Sequence, residues 1–257
     1  MNFFTLLKVE LLKLRRSKIF WILLAPIVMM WIPSIVNADM SFDTRGIRIS
    51  PEDNFFIQGF MGMMWFMLPA TLVICTVLLT QTERANRGLL KMLSLPVSPA
   101  KLCLAKFTVL LLLAVLQMCM TIGAYFISAA AASHMQSYDF MLDPLYVFRS
   151  ALAMYASAIP MAAVFWLLAT LISTPVFSVG AGLASIVPSV LVLNTKIWFL
   201  CPMCYPFYVL MTEYGKAAEG MFTATADLLP WLPVAAAITI VSLAVSCKCF
   251  GAAERRM

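Results

Sequence analysis

The stretch KFTVLLLLAVLQMCMTIGAYFISAAAA, from Lys106 to Ala132, contains no Asp, Glu, Lys or Arg after its first residue. About 20 apolar residues carry a helix across the hydrocarbon core of a bilayer, so this run by itself points to a membrane. Its surroundings agree. Of the 257 residues 63% are hydrophobic and 12% charged, against roughly 45–50% and about 25% in ordinary soluble domains. The mean hydropathy is +0.93. A water-soluble globule of this composition would expose much of its apolar excess, which excludes an ordinary soluble enzyme, a nucleic-acid binder and a disordered chain.

The same ruler finds five further spans, giving an all-α, six-span reading: 19–38, 56–80, 106–132, 149–172, 177–195 and 229–250. The break between the fourth and fifth falls at Ser173-Thr174-Pro175. Residues 197–211 are too short to cross, and segment 196–228 reads as a re-entrant or outer piece. The first span follows a basic segment, but its apolar run exceeds a usual signal-peptide core and no small-residue cleavage site follows. It reads as a retained anchor. The chain is expected to form one transmembrane domain, with residues 1–18 as an N-terminal interfacial helix.

Charge then orients the spans. Lys8, Lys13, Arg15, Arg16 and Lys18 precede span one; Arg84, Arg87, Lys91, Lys101 and Lys106 lie between spans two and three; Lys248, Arg255 and Arg256 follow span six. Arg45, Arg48, Arg149, Lys196 and Lys216 fall on the other side, with most of the acidic residues. Cytoplasmic loops carry the Lys/Arg excess, so both termini are expected in the cytoplasm. The net charge of +6 reports topology and calls for no nucleic acid. Trp21, Trp31, Phe55, Phe56, Trp198 and Trp231 fall near span ends, as headgroup anchors do, while Trp65 and Trp166 lie deeper and read as packing residues.

No ionisable residue occupies the middle of a span, which argues against an ion-coupled transporter. Gln58, Gln117 and Asn194 are the strongest polar groups there and, with Tyr205, are the candidates for a substrate path. An interhelical hydrogen bond is the plainer role for Gln117. There is no H-E-x-x-H, no G-x-S-x-G and no Walker A sequence, and His134 is the single histidine. The chain is therefore not expected to be an enzyme, nor to hold a metal or cofactor. Seven cysteines suggest no disulfide framework. Cys201-x-x-Cys204 lacks a second ligand pair and reads as apolar filling.

Between spans two and three the chain reads QTERANRGLLKMLSLPVS, Gln81 to Ser98. Leu89, Leu90, Met92 and Leu93 put apolar groups on one flank of a short helix. Arg84, Arg87 and Lys91 share another flank, and Pro96 ends the helix. By itself this is an amphipathic surface helix, suited to anionic lipid or to a cytoplasmic partner. The arrangement of Glu83, Asn86, Leu89, Leu90, Leu93, Pro96, Val97 and Ser98, with Lys106 before the next span, resembles the coupling-helix region of type-two (ABC-2-like) ABC export permeases. The basic N-terminal segment, where Phe4, Leu7, Leu11 and Leu14 make a 3–4–3 seam, is similar to that family's connecting helix. The segment Trp198 to Pro206 keeps Trp198, Pro202, Tyr205 and Pro206 of a pattern found in lantibiotic-protection and bacitracin-type permeases, with Met203 where tryptophan is usual.

The resemblance implies a permease subunit in a bacterial plasma membrane, paired with a second permease subunit, identical or related. Separate ABC ATPase subunits would bind ATP and Mg²⁺. Glu83, Arg87, Leu89, Leu90, Leu93 and Pro96, within helix 83–98, would transmit ATPase closure, and the substrate would be an amphipathic, lantibiotic-like antimicrobial peptide. The alternatives are a small-drug or lipid exporter of the same fold and a non-transporting scaffold or sensor subunit.

Overall fold

Three helices begin on a capping residue followed by proline. Ser50 accepts from Asp53 N at 3.2 Å before Pro51, Ser98 accepts from Lys101 N at 3.4 Å before Pro99, and Asp143 accepts from Tyr146 N at 3.1 Å before Pro144. The side-chain oxygen satisfies an otherwise orphaned N–H, and proline at the first helical position removes another while presetting φ. The computed structural model describes residues 3–14, 18–43, 48–84, 98–172, 174–218 and 228–250, without the side chains of 81–84, 228 and 229. In chain order the helices are α1 (Phe3–Leu14), α2 (Ile19–Val36), α3 (Pro51–Gly62), α4 (Leu68–Arg84), α5 (Pro99–Gln136), α6 (Pro144–Ser157), α7 (Ile159–Leu171), α8 (Pro175–Leu193), α9 (Tyr205–Ala217) and α10 (Leu228–Phe250). A π-helical turn, Met63–Met67, joins α3 to α4.

Among the described residues there is no β-strand, and six helical stretches are long and apolar enough to cross a membrane: Ile19–Val36, Pro51–Thr80, Pro99–Gln136, Pro144–Leu171, Pro175–Leu193 and Pro230–Phe250. The all-α, six-span expectation is met. The helices of spans two, three and four begin five to seven residues earlier than the apolar runs do, because caps and prolines start a helix while hydropathy marks only its lipid-facing length. α5, of 38 residues, is about 57 Å long, so it extends beyond an apolar core of about 30 Å. α9, of 13 residues, is about 20 Å long. It packs against α6 and α3 as a helix too short to span.

The aromatic expectations divide. Trp21 is exposed, as an interfacial anchor should be. Trp31, Phe55 and Phe56 are instead buried and form one cluster with Phe60, Tyr125 and Phe140. Tyr125 OH donates to Phe140 O at 3.1 Å and accepts from Leu142 N at 3.0 Å, pinning the connection after α5. Trp198 and Trp231 meet each other, Tyr205 and Tyr208 in a second cluster. Trp166 is fully buried between Phe107 and Phe250, and its indole N–H donates to Cys103 Sγ at 3.2 Å. Trp65, expected as a packing residue, is 42% exposed; the π-helical turn carries it to the outside of the subunit beside Phe207.

α1 is rotated from the expected seam. Leu6 and Glu10 are buried, Leu7 and Leu14 are partly covered, and Phe4 and Leu11 are exposed. A charged residue, not the leucine row, decides which face turns inward.

Close helix approach occurs at Gly59, where an added Cβ would lie 2.4 Å from a ring carbon of Trp31. Around Gly123 nothing among the described residues lies within 4 Å of such an atom. Gly59→Ala is expected to destabilise the subunit by about 1–3 kcal/mol through overpacking against a rigid ring. Gly123→Ala is expected to be neutral or slightly stabilising. Thermal unfolding of the two variants in detergent checks both.

Candidate functional site

A lysine near the start of a span is stable only if its ammonium finds partners, since bringing one ion out of water costs several kcal/mol. Lys106 lies about two turns into α5 and is 1% exposed. Its Nζ stands 2.9 Å from Glu10 Oε2 of α1 and donates to Leu79 O of α4 at 3.2 Å. Glu10 is 2% exposed, and its other carboxylate oxygen takes Lys13 Nζ at 2.6 Å. Burial pushes the Glu10 carboxyl up. The Lys106 charge and the hydrogen bonds from Lys13 and Lys106 outweigh it, and the carboxyl sits below its ordinary value.

This node joins three elements. Leu79 is near the end of α4, Lys106 near the start of α5, and the segment 83–98 runs between those two helices. Lys106 therefore ties the chain entering that segment to the chain leaving it, and Glu10 fastens both to α1. Ser98 Oγ caps α5 at the segment's far edge. Glu83 belongs to the last turn of α4, with its side chain outside the described residues. Arg87, Leu89, Leu90, Leu93 and Pro96 also lie outside them.

The residues expected to line a path are dispersed. Gln58 is exposed on α3 and donates to Asn54 Oδ1 at 3.0 Å. Asn194 is exposed at the end of α8. Tyr205 is buried, with its hydroxyl donating to Phe199 O. Gln117 is 0% exposed; its Nε2 donates to Thr71 Oγ1 on α4 at 3.3 Å, while its Oε1 has no hydrogen-bond partner among the described residues. One turn on, Thr121 Oγ1 lies 3.0 Å from Tyr155 OH of α6. The pair supplies hydrogen bonds between helices. Among the described residues no hydrogen bond joins any two of these four candidates, and no group of three or more metal-ligating side chains occurs.

Sequence reasoning named Lys106 and passed over Glu10. The available signal was a lone acid in a segment otherwise carrying Lys8, Lys13, Arg15, Arg16 and Lys18. A second buried acid, Glu213 of α9, was also passed over. Its carboxylate accepts from Ser150 Oγ at 3.5 Å and pairs with Lys216 at 2.6 Å.

Six membrane-length apolar helices make this a multi-pass membrane protein. Residues 6–189 match the family described as ABC-2 family transporter protein, and over that extent of the chain the match shows membership: the protein belongs to that family. The matched region runs from α1 into α8, and so includes the Glu10–Lys106–Leu79 node. A search among curated proteins found no match. Permeases of this family are the non-catalytic transmembrane component of their transporters and work with an ATPase partner.

Two outcomes test the node. Lys106→Met strands a buried carboxylate with Lys13 alone and is expected to cost about 3–5 kcal/mol. Glu10→Gln with Lys106→Met costs less than the two singles added together, which thermal melts arranged as a double-mutant cycle read out. The Glu10 carboxyl is depressed in the folded protein, so its contribution is complete above the ordinary carboxylate range and is lost as pH falls through the lowered folded value. A fluorophore at exposed position 4 should report release of α1 only at acidic pH, and Glu10→Gln should remove that pH dependence.

Proposed function

We propose that the chain is one half of the translocation path of an ABC exporter, paired with a second permease subunit and driven by separate ATPase subunits that bind ATP and Mg²⁺. In this account both termini are cytoplasmic and the helix within 83–98 docks on the ATPase. The observation that carries it is the family membership over residues 6–189, a region that includes a buried ionic tie between α1 and both flanks of the proposed docking segment. ATP-driven closure pushes on that segment. The tie passes the push into α1, α4 and α5 together, and the spans repack around a path between the two permease subunits. ATP does work on the equilibrium because the ATPase binds the two pore states with different affinity.

The proposed cargo is an amphipathic antimicrobial peptide expelled from the membrane. The aromatic and proline pattern Trp198, Pro202, Tyr205 and Pro206 supports this reading, and Met203 departs from it. The docking claim is tested by Leu90→Asp with Leu93→Asp. A charged pair on the apolar flank is expected to abolish copurification of the ATPase and transport, with the permease still present at normal levels in the membrane. Retained binding and transport would overturn the docking assignment. Challenge of expressing cells with a panel of cationic peptides and small drugs tests the cargo. Protection is expected against peptides, and protection confined to small drugs would replace that reading.

A further inference from the structure

The connection between α8 and α9 contains two thiols on one turn. Cys201 and Cys204 bound the 3-10 turn Pro202–Cys204, and Cys204 N donates to Cys201 O at 3.1 Å. A turn closed in this way holds residues i and i+3 near the Cα separation of about 5.5–6 Å that disulfides favour. Cys204 Sγ donates to Ser189 O of α8 at 2.9 Å. Cys204 is buried and opens α9, whereas Cys201 is only partly buried.

The two thiols differ in character as well as in access. The neighbouring Cys204 side chain pulls the Cys201 thiol below its ordinary value; burial opposes this, and the backbone N–H groups of Met203 and Cys204 assist it. The neighbouring Cys201 sulfur pushes the Cys204 thiol up, and burial adds to the effect. A more accessible thiolate beside a protonated, sheltered thiol is the division of labour of an attacking and a resolving cysteine.

We propose that Cys201 and Cys204 form a redox-active dithiol that closes to an intramolecular disulfide by exchange with a small-molecule or protein disulfide. The Cys201 thiolate attacks one sulfur of the oxidant, forming a mixed disulfide and releasing one oxidant thiolate, which takes up a proton. Cys204 gives up its proton to solvent, and its sulfur attacks Cys201 Sγ, expelling the second thiolate of the oxidant. The protein dithiol loses two electrons and two protons, and the oxidant disulfide becomes two thiols. Closure consumes the S–H that Cys204 donates to Ser189 O, so oxidation removes a hydrogen bond tying the end of α8 to the start of α9.

The test uses the intact purified protein, equilibrated in defined mixtures of oxidised and reduced glutathione, quenched with maleimide under denaturing conditions and mapped by peptide mass. Cys201 and Cys204 are expected to lose maleimide labelling together, in one two-electron transition, at ratios where the similarly half-buried Cys249 in the last turn of α10 stays labelled. In Cys204→Ser, Cys201 is expected to trap a glutathione adduct faster than Cys249 does. In Cys201→Ser, Cys204 is expected to remain labelled throughout. Full labelling of both thiols at the most oxidising ratio would overturn the proposal. So would glutathione capture at Cys201 no faster than at Cys249, or a disulfide from either cysteine to a third. The wild-type titration stands by itself if a variant fails to fold.

Discussion

The buried ion pair between Glu10 and Lys106 constrains the inner architecture of this permease. An ammonium at 1% exposure and a carboxylate at 2% depend on each other, because the remaining partners, the Leu79 carbonyl and Lys13, offset only part of the desolvation cost. Their pairing fixes the rotation of α1, turning Glu10 inward and leaving Phe4, Leu11 and Leu12 exposed on the subunit, where a lipid surface would cover them. It fixes the register of α5 against α4, since the same Nζ also reaches Leu79 O. Three elements distant in sequence are thereby held at one point. Aromatic packing performs the matching task elsewhere, with Trp31, Phe55, Phe56, Phe60, Tyr125 and Phe140 joining α2, α3 and α5 to the connection after α5.

Much of this fold could be read directly from apolar runs, because a bilayer demands about 20 apolar residues per crossing and few other environments do. Helix starts were less visible to that ruler. Ser50-Pro51, Ser98-Pro99 and Asp143-Pro144 begin helices well before the apolar runs, and the cap-then-proline pattern was available in the sequence. Burial of single aromatic residues was not. Trp31 is close to a span end like Trp21, yet one packs against Phe60 and the other faces outward. Hydropathy cannot separate them, since only the arrangement of neighbouring helices decides which tryptophan has partners.

The candidate site divides along a similar line. Lys106 was legible from its place after the Leu-Pro-Val-Ser segment. Glu10 was hidden because helical periodicity favours a leucine seam, and a charged residue overrides such a seam only when a counter-charge arrives from a remote helix. Gln117 had two readings in the sequence, and its hydrogen bond to Thr71 favours the interhelical one. The proposed docking residues Arg87, Leu89, Leu90, Leu93 and Pro96 rest on pattern and family membership, with the described node standing at both ends of their segment.

In the proposed mechanism α1 and the adjoining ends of α4 and α5 move as one body when the ATPase partner closes. The direct measurement is the distance distribution between spin labels on the exposed residues Leu12 of α1 and Lys101 of α5 in the assembled transporter, with and without bound ATP. It should be paired with the distance between the two Lys101 positions of adjoining permease subunits. The account predicts that the Leu12–Lys101 distance stays constant while the intersubunit distance shifts with nucleotide. A Leu12–Lys101 distance that changes with nucleotide as much as the intersubunit one would contradict it.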